Sequence, residues 1–73
     1  MQIDLVKFGK ALKDSRLSMT PPMTQFWVTK QAESLGCSVT EGTIKALENG
    51  HRKPSDRTLN LLCRIFPNLK DFV

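Results

Sequence analysis

Two cysteines and a single histidine are the only thiol and imidazole groups in this 73-residue chain. Cys37, Cys63 and His51 show no Cys-x-x-Cys or His-x-x-x-His spacing, so the sequence supplies no recognisable zinc ligand set. One histidine without a nucleophile–base pairing also leaves no catalytic centre to name, and we expect no enzyme, no metal, no cofactor and no small-molecule ligand. Both cysteines adjoin apolar residues, and the N-terminus lacks the charged, apolar and small-residue segments of a secretory signal. Reduced thiols in a cytoplasmic protein are therefore expected rather than a Cys37–Cys63 disulfide. No apolar stretch approaches about 18 residues, which excludes a helical membrane span. Alternating β-branched runs, internal repeats and low-complexity tracts are missing as well, so nothing competes with an all-helical reading.

What is present is the composition of one small globular domain, residues 1–73: 40% hydrophobic and 25% charged. A chain of this size buries only about 60% of its unfolded surface, so its stability margin is thin. Eleven Lys and Arg against seven Asp and Glu leave a net charge of +4, which favours a polyanionic partner.

Asp4 can cap a first helix, about 4–17, in which Leu5, Phe8, Leu12 and Leu17 recur near helical spacing with Lys7, Lys10 and Lys13 at the edges. The Pro21-Pro22 pair ends it, because proline lacks a donor and pushes its predecessor out of helical geometry. Thr24 or Pro22 starts a second helix, Gln25 to about Leu35, with Trp27 or Val28, Gln31, Ala32 and Leu35 along its inner side and Gly36 as its stop. Phe26 and Trp27 are both expected in the core. A third, short helix follows, capped by Thr40 or by Ser38 in a capping box with Glu41, and closed by Gly50. Val39, Thr43, Ile44 and Leu47 form its packing face; Glu41, Gly42, Lys45 and Ala46 fall elsewhere. Ser55 caps a fourth helix with Leu59, Leu62, Cys63 and Phe66 as its apolar stripe, and Pro67 ends it. Asn68 to Phe72 makes a final turn whose Leu69 and Phe72 form a lid. The fold class expected is all-α, a compact bundle of about five short helices.

Two helices joined through Gly36 to Thr40, the second short and followed by a basic loop, describe a helix-turn-helix unit at about 24–50. Ile44, Leu47-Glu48-Asn49-Gly50, Arg52-Lys53-Pro54-Ser55 and the Leu59/Leu62 stripe resemble the lambda-repressor-like helix-turn-helix family of phage repressors and Cro proteins, over about residues 8–72. The resemblance implies a third helix lying in the DNA major groove, with Thr40, Glu41, Gly42, Thr43 and Ala46 at the base-reading positions. It also implies an ion pair between Arg16 of the first helix and Glu48. Two features depart from the family: the turn between Ala32 and Thr40 is about two residues longer, and Ser18 to Thr24 carries an extra Pro-Pro loop.

Beside the third helix, His51, Arg52, Lys53 and Arg57 gather cations around the loop and the start of the fourth helix, where phosphates would lie, with Asn49 as a further donor. Lys45 can serve the backbone or remain a solvated lysine. Thr24 and Gln25 can hold a phosphate at the start of the second helix, or Thr24 can simply cap it. Glu41 can accept from cytosine N4, or cap the start of the third helix against its positive end. The expected function is sequence-specific binding of double-stranded DNA by a transcriptional regulator, with two alternatives open: a homodimer through the helix 4/helix 5 end, around Phe66, Leu69 and Phe72, or an excised DNA-binding domain. The alternative is a helix-turn-helix protein-interaction module, an antitoxin or accessory factor, with weak DNA contact and an exposed Phe26 or Trp27.

Overall fold

The computed structural model describes residues 4–72, and every regular element among them is helical. Short polar side chains set the helix starts. The Asp4 carboxylate accepts from the Val6 and Lys7 N–H groups, both at 3.1 Å, and opens α1 (Leu5–Leu17). Thr24, rather than Pro22, opens α2 (Gln25–Ser34): its hydroxyl accepts from the Trp27 N–H at 3.1 Å. Thr40 opens α3 (Glu41–Glu48) by accepting from the Thr43 N–H at 3.2 Å, and Ser55 opens α4 (Asp56–Ile65) by accepting from the Thr58 N–H at 3.2 Å. A terminal 3₁₀ helix spans Pro67–Phe72. The Ser38–Glu41 capping box does not form, because Val39 is drawn into the core and the helix starts only after Thr40.

Glycine closes α2 and α3. Gly36 and Gly50 have φ of +85° and +73°, conformations in which a Cβ would be strained. At the first of these turns the N–H groups of Gly36 and Cys37 donate to the Glu33 and Ala32 carbonyls, each at 3.0 Å, satisfying the free end of α2.

The core draws on all five helices: Phe8 and Leu12 from α1, Val28 from α2, Ile44 and Leu47 from α3, Leu62 from α4 and Leu69 from the 3₁₀ helix are essentially inaccessible. Burying each such side chain is worth about 1.5–3 kcal/mol. The Cα radius of gyration, 11.0 Å, matches the roughly 11 Å of a close-packed chain of this length.

Several inward assignments are corrected. Val28 and Ala32, four residues apart, turn the inner face of α2 to the core; Phe26 lies two residues from Val28, about 200° round the helix, and is 51% exposed. Trp27 is half-buried, its ring centroid 6.2 Å from that of Phe66. Leu35 caps α2 where the chain turns away at Gly36, and it is exposed, as is Leu17 in the last turn of α1. On α4, Leu61 is buried while Leu59 is only half-buried. Leu69 closes the core as the lid, whereas Phe72 stays largely outside.

Candidate nucleic-acid interface

α3 packs on both α1 and α2, and two contacts fix it there. The first is charged. Arg16 of α1 donates from Nε to Glu48 Oε2 at 2.8 Å and from Nη2 to Oε1 at 3.0 Å, both residues being 8% exposed. Its Nη1 donates to the Met23 carbonyl at 2.7 Å, and Gln25 Nε2 donates to Glu48 Oε1 at 3.1 Å. One guanidinium thus ties α1, the loop before α2 and the end of α3 together. Among the described residues no buried side-chain nitrogen or oxygen lacks a partner, so this desolvated charge pair is fully hydrogen-bonded. The second contact is steric. Gly9 is buried under α3, where an added Cβ would run into the Leu47 carbonyl and lie 2.7 Å from the Glu48 carbonyl oxygen.

With Ile44, Leu47 and Glu48 turned inward, α3 leaves Glu41, Gly42, Lys45 and Asn49 exposed and Thr43 and Ala46 half-buried. A Cβ on Gly42 would meet nothing closer than Thr40 Oγ1 at 3.8 Å, so the surface there is open. The Thr40 and Thr43 hydroxyls bond to each other at 3.1 Å, leaving them partly committed to the cap. Glu41 occupies the first turn of α3, where its carboxylate meets the positive helix end. Beside this face a cavity of about 420 Å³ lies between α3 and the basic loop, lined by Thr43, Arg52, Lys53, Ser55, Thr58 and one carboxylate, Asp56, among others. Arg52, Lys53 and His51 are exposed. No family model, curated protein or solved structure matches the chain.

The expected phosphate contacts are therefore only partly assembled. Arg52 and Lys53 share the cavity beside α3, with Lys45 and Asn49 exposed on the helix itself. Arg57 instead lines a separate cavity, against the C-terminal turn of α2. Thr24 is exposed with its oxygen engaged as the α2 cap, and Gln25 spends one amide hydrogen on Glu48. Phe66 and Leu69, assigned to a dimer surface, are 5% and 0% exposed, so of that trio only Phe72 reaches solvent.

Two residues escaped the sequence reading. Gly9 carried a signal in plain view, since a glycine inside a helix is costly unless something approaches closely. The Met23 carbonyl carried none, because any residue could supply it. Both cysteines are free thiols; burial pushes the Cys63 thiol up, with Lys70 nearby pulling it partly back. No group of three or more His, Cys, Asp or Glu is arranged for a metal among the described residues, and none of their helices is long and apolar enough to cross a membrane.

Proposed function

We propose that this chain is a lambda-repressor-like helix-turn-helix protein that binds double-stranded DNA sequence-specifically as a transcriptional regulator, not as an enzyme, and works in the cytoplasm of a prokaryote or on phage DNA. The observation that carries the reading is the two-sidedness of α3. Its apolar side and Glu48 are locked against α1 and α2, while Glu41, Gly42, Lys45 and Asn49 stand free beside a cavity lined by Arg52 and Lys53. A short helix held from behind and flanked by cations suits the major groove: the helix meets base edges, the cations meet phosphates. Glu41 would favour cytosine through N4, and Ala46 would offer a methyl contact.

Fluorescence anisotropy with random-sequence duplex at two salt concentrations, followed by selection from a randomised pool, tests this. We expect affinity to fall steeply with salt and a preferred sequence to emerge. Absence of binding at low salt would overturn the reading. It would instead favour a protein-interaction module, for which the 51% exposed Phe26 on α2 is the supporting observation.

A further inference from the structure

Arg57, in the first turn of α4, borders a different cavity from the one that Arg52 and Lys53 line. Together with Asn60 and Arg64 it borders a cavity of about 230 Å³ between α4 and the C-terminal turn of α2, whose apolar parts are Leu35, Cys37 and Leu61. Leu35 is 40% exposed there, Cys37 half-buried, and both arginines are exposed. None of the described residues lining this cavity is acidic, and neither arginine takes part in an ion pair among them. The arginines are seven positions apart, so their Cα atoms lie about 10 Å apart along the helix axis.

We propose that this cleft is a docking site for an acidic protein segment carrying one apolar anchor. The charge of the lining names the sign of the partner: two guanidiniums two helical turns apart suit carboxylates on either side of a central residue, each able to form a bidentate pair. The apolar part names its class. Leu35, 40% exposed, and the half-buried Cys37, backed by the core residue Leu61, give an aliphatic side chain something to bury against, which a sugar-phosphate backbone does not need. The surface is built from α2's last turn and the outer face of α4, and it works whether or not α3 binds DNA.

The test uses the full chain, labelled with nitrogen-15, and a synthetic peptide of glutamates flanking a central leucine. Saturable shifts in the amides of Leu35, Cys37, Asn60 and Arg64 are expected, with about tenfold weaker binding in the Arg57→Glu, Arg64→Glu double variant. Both positions are exposed, and an unchanged circular dichroism melt establishes that this variant is folded. Replacing the peptide's leucine by serine should abolish the shifts. Equal binding of the serine peptide, or no shifts at these amides, would overturn the proposal. So would a random-sequence duplex that perturbs the same amides as strongly as the peptide, since the cleft would then be serving DNA phosphates.

Discussion

Arg16 grips Glu48 through a two-pronged contact, Nε to Oε2 at 2.8 Å and Nη2 to Oε1 at 3.0 Å, across 32 residues of sequence and almost out of reach of water. Such a pair does more to fix geometry than to add net stability, because desolvating both charges consumes most of their attraction. Losing one partner is different, since it strands the other. We expect Arg16→Met or Glu48→Leu alone to cost about 3–5 kcal/mol. The double substitution should cost clearly less than the sum, with the residual reflecting the Met23 carbonyl and Gln25 amide left without their partners. Urea unfolding of the four members of this cycle checks it; additive losses would contradict the coupling.

Gly9→Ala should destabilise the protein by at least about 2 kcal/mol, because the new methyl meets backbone rather than a side chain that could turn aside. In an ordinary exposed helix the same change would stabilise by about 0.5–1 kcal/mol. The sign of the shift in the thermal midpoint therefore decides whether α1 and α3 approach as closely as described.

Gly42→Ala and Gly50→Ala should behave oppositely. Gly42 is in a helix with open space around it, so alanine should be neutral or stabilising there. At Gly50, with φ of +73° and a Cβ site only 3.3 Å from the Val6 Cα, alanine should cost about 1–2 kcal/mol or more. Thermal denaturation of both variants distinguishes them, and any loss of DNA affinity in a fully stable Gly42→Ala would mark close approach of α3 to the bases.

Arg52→Gln and Lys53→Gln should each leave the fold intact, both side chains being exposed. Each should lower the slope of log affinity against log salt by about 0.9, the contribution of one phosphate contact. Arg57→Gln, facing the other cleft, should leave that slope unchanged. Equal effects at all three positions would place Arg57 back among the phosphate contacts.

Alkylation should separate the two thiols. Cys37 is half-buried and should react in the native state, whereas Cys63 is 7% exposed and its thiol is pushed up from the ordinary value of 9.0 by burial. The thiolate is the reactive form, so Cys63 should be labelled only after unfolding. A thiol raised by folding contributes stability that is intact below the ordinary value and declines above it, as ionisation of the unfolded chain becomes favourable. Mass spectrometry of iodoacetamide-treated protein with and without denaturant reads the order of labelling.

The helix ends were the most legible part of the chain. Asp4, Thr24, Thr40 and Ser55 cap through local hydrogen bonds spanning two or three residues, and Gly36 and Gly50 close helices through their own backbone freedom. Chemistry of that range is written in consecutive letters. The inward faces were legible where apolar residues recurred at three- and four-residue spacing, as in Phe8–Leu12 and Val28–Ala32, and misread where a large apolar residue sat at a helix edge, as with Leu35 and Phe26.

Local sequence was enough for the helical class, the stops at Gly36 and Gly50, a cationic loop after α3 and the apolar residues that pack α3 from behind, whereas the starts of α2 and α3 stayed open until the fold chose Thr24 over Pro22 and Thr40 over Ser38. Arg16 and Glu48 could be paired only through a family resemblance, and the three-dimensional structure supplied the rest of their network, the Met23 carbonyl and the Gln25 amide. Tertiary structure alone decided that Gly9 lets α1 lie against the end of α3, that Arg57 parts company with Arg52 and Lys53, and that Phe66 and Leu69 are core rather than surface. The division has one physical cause. A cap or a stop is settled by neighbours a few residues away, whereas the surroundings of a side chain depend on how whole helices rotate and cross once their apolar faces close on one another.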